Sequence, residues 1–291
     1  MIELLRSPWG EHFESLIGEV SDSLVIACPY VGRQPCEALL EVASQTGAAK
    51  SASLLLLTDL SRDVILSGAS DLSAICDLSL GFQSAEVRFL PNVHAKVYVA
   101  DEKAAIVTSA NMTASGLWRN FEYGLQVRDP HLVAQIRRDV VDYAELGTSI
   151  GEERLRFLSR LSQELNEVRR HADASVKRDL RSRFRKRLRE FENEIIRARA
   201  AGRTPHAIFA DAILYLLAKG PMTTAELHPL IRSIHPDLCD DSTDRVIDGR
   251  HFGKKWKHAV RTAQQHLKRK GRIALHDGVW CLTDHNANDA P

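Results

Sequence analysis

His94-Ala95-Lys96-Val97-Tyr98-Val99-Ala100-Asp101-Glu102-Lys103-Ala104-Ala105-Ile106-Val107-Thr108-Ser109-Ala110-Asn111 is the stretch whose reading decides the fold. Ala95 to Ala100 reads as a strand, with β-branched Val97 and Val99. Asp101-Glu102-Lys103 is a polar turn, and Ala104 to Thr108 is a second apolar run. Two strands joined by so short a turn make a β-hairpin. His94 and Lys96 are two apart on the first strand, so they face one side. Ser109 and Asn111 are also two apart, just beyond the second strand. The hairpin therefore collects an imidazole, an ammonium, a hydroxyl and an amide at one edge of a sheet. Asn120-Phe121-Glu122 adds a carboxylate soon after. In such a set the imidazole can attack phosphorus while the ammonium and amide hold the phosphoryl oxygens. The carboxylate can orient the imidazole, and no metal is needed. A lone H-x-K is commonplace, and an edge histidine or a surface carboxylate would account for either piece alone. The joint spacing is what points to a site.

His94-x-Lys96-x4-Asp101-x6-Thr108-Ser109-x-Asn111 resembles the HKD signature of the phospholipase D superfamily. Asn120-Phe121-Glu122-Tyr123-Gly124 resembles the acidic element that follows it in the nuclease branch. The resemblance covers about the first half of the chain. One departure is Thr108, where the family usually has Gly. The other is that a second H-x-K is expected to be absent from the chain. Double-motif members build one site from two internal copies, whereas single-motif members, bacterial nucleases among them, build it across a homodimer. The resemblance therefore implies a homodimer through the catalytic domain. It also implies roles. His94 attacks phosphorus and forms a phosphohistidine, and His94 of the second subunit protonates the leaving oxygen and then activates water. Lys96 and Asn111 bind non-bridging oxygens, Ser109 fixes that network, and Glu122 holds the far imidazole nitrogen. Asp101 falls in the turn and reads as structural. The resemblance implies no metal and no cofactor.

Composition fits an intracellular enzyme. The 291 residues leave room for two domains, and no apolar run approaches the ~20 residues of a membrane span. The N-terminus lacks the apolar core of a signal peptide. Cys28, Cys36, Cys76, Cys239 and Cys281 are scattered, odd in number and without metal-binding spacing, so they read as reduced thiols of a cytoplasmic protein. Cys28 and Cys76 lie in apolar surroundings that suit a core.

The net charge of +1 hides an asymmetry. Residues 1–150 carry 11 Lys+Arg against 19 Asp+Glu, residues 151–203 carry 16 against 9, and residues 204–291 carry 12 against 10. The catalytic half is acidic, so a polyanion would be held mainly by the later segments.

Residues 1–150 alternate strand and helix: strands at Leu24 to Cys28, Ser53 to Leu57, Val87 to Leu90 and Gly124 to Val127, and helices at Pro35 to Gln45 and Pro130 to Leu146. Thr58-Asp59 suits a helix start. The pattern is α/β, and the resemblance refines it to a phospholipase D-like α/β sandwich. Residues 151–203 lack proline and step by three and four through Leu155, Leu158, Leu161, Leu165 and Val168, then Val176, Leu180, Phe184, Leu188, Phe191 and Ile195. One or two long helices follow, with arginines such as those from Arg181 to Arg189 on the other faces. Two readings stay open: a solvated basic helical connector, or a dimerising helix that also touches phosphates.

Residues 204–285 read as a winged helix. Helices are expected at His206 to Leu217, from a Thr223 or Thr224 cap to Ile234, and at Lys254 to Lys270. A polar insertion spans Pro236 to Gly253, and a hairpin from Arg272 to Leu282 forms the wing. Trp256, Val260, Ala263 and Leu267 make the buried stripe of the third helix. The Trp-x2-Ala-Val-Arg run and the closing Gly-Val-Trp-x-Leu-Thr resemble winged helices attached to bacterial restriction enzymes such as the Mrr type. On DNA, Arg261, Gln265 and His258 would lie nearest the bases, and Lys254, Lys257 and Lys268 nearer phosphates, with Lys255 and Arg269 on the same basic surface. The alternatives are a solvated face or a protein-docking module. Residues 286–291 read as a disordered tail.

The expectation is a metal-independent DNA endonuclease of restriction or defence type, fused to a DNA-reading module, with room for a methyltransferase or helicase partner. The alternatives are a DNA-binding regulator with a vestigial HKD domain, a lipid phosphodiesterase on the same core, and an RNase.

Overall fold

The computed structural model describes residues 1–172, 186–191, 193–195, 198, 203–247 and 250–283. It divides into two compact units, Met1–Ala201 and Gly202–Pro291. The expected tail and the middle of the basic stretch, with Val176, Leu180 and Phe184, lie outside the described residues.

The first unit is built on an eight-stranded sheet of order β1-β7-β6-β5-β2-β3-β4-β8. The strands are β1 (Ile2–Arg6), β2 (Ser23–Ala27), β3 (Ser53–Thr58), β4 (Ser84–Phe89), β5 (Val97–Ala100), β6 (Ala104–Thr108), β7 (Tyr123–Val127) and β8 (Thr148–Ser149). β2, β3 and β4 run parallel, and every other neighbouring pair is antiparallel. The helices are α1 (Gly10–Gly18), α2 (Arg33–Thr46), α3 (Ala48–Ser51), α4 (Arg62–Ser67), α5 (Leu72–Gly81), α6 (Ala114–Trp118), α7 (Pro130–Leu146) and α8 (Glu152–Ala172).

Period-two alternation sends the strand side chains to two apolar layers. Leu24, Ile26, Leu54, Leu56, Tyr98 and Ile106 join one buried cluster with Phe13, Leu16, Leu39, Ile75, Leu78, Leu155 and Leu158 from α1, α2, α5 and α8. Across the sheet, α7 packs on β2, β3, β5 and β6 and buries Val133, Val140 and Ala144. This is the α/β class expected from the sequence. Pro130 at the helix start and the Asp129 side chain, which accepts from the His131 and Leu132 N–H groups, set the α7 N-terminus.

Three differences stand out. β1, at the sheet edge, has only Leu5 buried, so no alternation advertises it. Thr58-Asp59 does not start a helix. The Asp59 carboxylate instead accepts from the Ser61 and Asn92 N–H groups, and the next helix begins after Ser61. The stretch read as a connector contributes Leu155, Leu158, Leu165, Phe191, Ile195 and Ala198 to the core of the first unit, and Arg154 pairs with Glu194 at 2.6 Å. Among the described residues, this part of the apolar stripe packs on that unit, unlike a solvated tether.

The second unit holds α9 (Pro205–Leu217), β9 (Met222–Thr223), α10 (Thr224–Ile234), β10 (Asp244–Ile247), β11 (Arg250–Lys254), α11 (Lys255–Arg269), β12 (Ile273–His276) and β13 (Val279–Leu282). Ile208, Phe209, Ile213, Leu227, Ile231, Trp256, Val260, Leu267 and Trp280 are its buried side chains of note. Thr223, not Thr224, caps α10 in a reciprocal box with Glu226. The Thr224 hydroxyl instead accepts from Gln264 Nε2 at 3.1 Å and Trp280 Nε1 at 2.9 Å. The polar insertion is not irregular throughout, because β10 and β11 form a hairpin within it. The last hairpin turns at Asp277 (φ 50°) and Gly278 (φ 82°), and β13 also pairs with β9 in a sheet of order β12-β13-β9. Two successive positive φ angles are what a two-residue hairpin turn of matching twist demands.

Candidate active site

The hairpin of β5 and β6 sits at the middle of the sheet, and its turn is anchored by a carboxylate. Asp101, at φ 53°, accepts from the backbone N–H groups of Ser21 (3.1 Å), Asp22 (2.8 Å) and Ser23 (2.8 Å) and pairs with Lys103 at 2.8 Å. Burial alone would raise the Asp101 pKa. Lys103 and the three N–H groups outweigh it and hold the carboxyl below its usual range. The residue thus ties the hairpin to the start of β2, away from the reacting groups.

At the other end of the hairpin the five expected residues come together around two strand ends. His94 and Lys96 precede β5 instead of lying on it, yet they do share a side. Lys96 Nζ lies 3.1 Å and 3.3 Å from the two ring nitrogens of His94 and donates to the His94 carbonyl at 2.9 Å. Pairing continues one step past the strand, because the Thr108 N–H donates to the Lys96 carbonyl at 3.0 Å. His94 is exposed, whereas Lys96 is buried. Desolvation therefore lowers the Lys96 pKa, and the nearby Cys28 and Glu122 only partly offset it. A less hydrated ammonium is a stronger electrostatic partner for an incoming oxyanion.

Beside this pair, the Ser109 hydroxyl donates to Glu122 Oε2 and accepts from the Tyr123 N–H at 3.2 Å. Asn120 Nδ2 donates to Glu122 Oε1 at 3.0 Å. Both carboxylate oxygens are engaged, and among the described residues Glu122 makes no hydrogen bond to His94. The expected carboxylate–imidazole bond is thus absent from this arrangement. Ser7, from the loop after β1, holds the Glu122 backbone on both sides: its hydroxyl accepts from the Glu122 N–H at 2.5 Å and donates to the Glu122 carbonyl at 3.2 Å. Nothing in the local sequence at Ser7 announces a role 115 residues away.

Asn111 lies on the loop between β6 and α6. Thr113 caps α6 by accepting from the Gly116 N–H at 3.1 Å, and Gly116 backs directly onto Asn111. A Cβ at position 116 would stand 2.2 Å from the Asn111 carbonyl oxygen. Gly116→Ala is therefore expected to destabilise the first unit by about 1–3 kcal/mol, the usual cost of overpacking. Urea unfolding measures it. Beneath the loop, Trp9, Phe13 and Tyr98 form an aromatic triangle with ring centroids 5.5–6.1 Å apart, and Trp9 Nε1 donates to the Gly116 carbonyl at 2.9 Å. Sequence reading missed these supports because each is long-range.

Contrary to the expectation of none, a second H-x-K spacing exists at His266-Leu267-Lys268, but it lies inside α11 with Leu267 in the core and not at a strand end. Of the residues expected on a nucleic-acid surface, Lys255, Arg261, Gln265, Lys268 and Arg269 are exposed along α11. Lys254 is not on the helix body. It occupies the cap position and pairs with Asp244 at 2.8 Å, which raises its pKa. Lys257 lies over the Trp256 ring at 5.6 Å, and His258 Nδ1 is 3.3 Å from the Arg245 guanidinium. Among the described residues, no helix is long and apolar enough to cross a membrane.

Residues 14–142 match a family model described as "Cardiolipin synthase, PLD-like domain". No curated protein matches the chain. Nuc from Salmonella typhimurium, described as a phospholipase D family member, is similar at 18% identity over 51% of this chain and 97% of its own, with a TM-score of 0.40. NucT from Helicobacter pylori is similar at 18% identity over 48% of this chain and 92% of its own, with a TM-score of 0.37. Phosphatidylserine synthase from Haemophilus influenzae Rd KW20 is similar at 14% identity over 60% of this chain and 45% of its own, with a TM-score of 0.45. The matched segment 14–142 is similar to that PLD-like domain and contains His94, Lys96, Ser109, Asn111 and Glu122.

Proposed function

We propose that the chain is a metal-independent DNA endonuclease of restriction or defence type, with its active site shared across a homodimer. The observation that carries the reading is the buried Lys96 ammonium within 3.3 Å of both His94 ring nitrogens, beside Ser109, Asn111 and a hydrogen-bonded Glu122. A ring nitrogen of His94 attacks phosphorus and the phosphorus–oxygen bond to one strand breaks. The leaving oxygen takes its proton from His94 of the second copy. That imidazole then removes a proton from water as the water oxygen displaces the first His94 and regenerates it. Lys96 and Asn111 hold the non-bridging oxygens, where negative charge builds. Ser109 and Glu122 orient the imidazole once the shared site is assembled.

The second unit is read as a winged helix. Its order of helix, strand, helix, inserted strand pair, helix and hairpin supports this, as does the short strand β9 closing the sheet with the hairpin. Lys255, Arg261, Lys268 and Arg269 on the exposed faces of α11 suit phosphates and base edges, and Gln265 suits adenine. Lys254 and His258, already engaged by Asp244 and Arg245, are the weaker candidates. Replacing Lys255, Lys268 and Arg269 together with Gln is expected to weaken DNA binding. It should lower the slope of log affinity against log salt by about 1 for each phosphate that is no longer neutralised. Fluorescence anisotropy across a salt series measures both.

Full-length protein incubated in EDTA with supercoiled DNA, RNA and anionic phospholipid vesicles tests the substrate. Nicked DNA with intact lipid is the expected result, and labelled DNA quenched in alkaline denaturant should leave one strand end joined through its phosphorus to histidine. Lipid turnover without DNA cleavage would overturn the assignment in favour of a lipid phosphodiesterase. DNA binding with no turnover of any substrate would favour a regulator.

A further inference from the structure

The catalytic reading leaves several buried thiols without a task, and one of them lies next to the candidate site. Cys28, at the end of β2, has no exposed surface and lies directly under the loop that carries Asn111. Its sulfur accepts from the Met112 N–H at 3.0 Å and sits 3.8 Å from the Tyr98 hydroxyl, which also reaches the Ala110 carbonyl at 3.3 Å. On its own donor side the thiol faces two acceptors, the Tyr30 carbonyl at 3.2 Å and Asn111 Oδ1 at 3.8 Å. The three consecutive residues Ala110, Asn111 and Met112 are thus gripped from below by one thiol and one phenol. A further bond, from the Gly32 N–H to the Met112 carbonyl at 2.8 Å, fixes the same loop.

We propose that Cys28 is a positioning residue for Asn111, its S–H holding the side-chain oxygen inward so that the amide N–H2 group faces the ligand. The two ends of an asparagine amide have nearly the same shape and differ in whether they accept or donate, so the neighbours decide which way it turns. The sulfur accepts the Met112 N–H, and its own single hydrogen is shared between the Tyr30 carbonyl and Asn111 Oδ1, so the acceptor end of the amide is the one that fits against it. Turned the other way, Asn111 would present its carbonyl oxygen to the phosphoryl oxygens and repel them. Burial raises the thiol pKa, so the S–H stays protonated across the neutral range and keeps its donor. A neutral sulfur also leaves the Lys96 charge undivided for the substrate. Cys28 itself touches no reacting atom.

This inference rests on the reading of Asn111 as a phosphoryl-oxygen binder, and its test separates the two. The side-chain 15N–1H2 pair of Asn111 is observed by NMR in the full-length protein and assigned by its loss in Asn111→Ala. Cys28→Ala is expected to shift and broaden that pair, as the amide samples both orientations. Cys28→Ser, which keeps a donor hydrogen, is expected to retain a single sharp pair and covers the case in which the alanine variant does not fold. In cleavage assays Cys28→Ala should lower kcat by about 10-fold, the scale of a misplaced binding group, while changing KM less. On an Asn111→Ala background the same substitution should cost less than about 2-fold, because a residue acting through Asn111 has nothing left to act on. An unmoved amide pair, or an equal loss in both backgrounds, would overturn the role. If the wild type cleaves no phosphodiester, the nuclease reading falls, and the amide signal still decides the role of Cys28.

Discussion

His94→Ala is expected to abolish the proposed DNA cleavage in EDTA, lowering the rate by about 10⁴-fold or more, the scale on which removal of a nucleophile is felt. The imidazole is the only group in the proposed site that forms a bond to phosphorus, so nothing nearby can substitute for it. The side chain is exposed and packs into no core, so the variant should fold as the wild type does. Plasmid nicking followed over time, with unfolding curves of both proteins, gives the answer. Equal cleavage by the two proteins would remove His94 from the chemistry. Mixing wild type with the variant adds a second reading. In a shared site, mixed dimers lose either the nucleophile or the acid, so activity should fall faster than the fraction of wild-type chains. A linear fall would argue for sites that work alone.

Lys96→Met is the second large effect, and it should act on activity and stability in opposite directions. Loss of the ammonium removes a donor aimed at the phosphoryl oxygens, expected to cost about 10²–10³-fold in kcat. The same change should raise the melting temperature. Burial lowers the Lys96 pKa, so between that lowered value and the ordinary lysine value the folded chain binds fewer protons than the unfolded one. Stability conferred at this position therefore rises with pH across that window. Below the window the buried charge carries its full cost. The thermal gain of the methionine variant should be greatest at neutral pH and shrink as pH climbs through the lowered pKa toward 10.5. A series of melting curves from pH 7 to 10.5 checks the sign, and a variant less stable than wild type at neutral pH would contradict it. A functional group that costs the fold is what an active site predicts and an ordinary salt-bridge lysine does not.

Much of the site was legible because it is local. His94, Lys96, Ser109 and Asn111 lie on one hairpin, and two-residue spacing with a short polar turn suffices to bring them together. Even so, His94 and Lys96 stand before β5 instead of on it. Their shared side is kept by the bond from the Thr108 N–H to the Lys96 carbonyl, not by a regular strand. Glu122 was legible as a carboxylate near the site, but its partners were not. Ser109 and Asn120 take both of its oxygens, an outcome that depends on how β7 lies against β6.

The amino-acid sequence by itself determined the α/β class, the hairpin, the helix Pro130–Leu146, and the final hairpin with Asp277-Gly278 at its turn. Each of these is set by periodicity, capping or turn chemistry within a few residues. Tertiary structure alone decided the rest. β1 joins the sheet as an edge strand with one buried side chain, and the supposed connector is drawn into the core by Leu155, Leu158 and Phe191. Ser7 reaches across to hold Glu122, and Cys28 closes under Asn111. Such contacts join residues far apart in the chain. They form only once apolar burial has brought the sheet and helices together, so no local pattern could encode them.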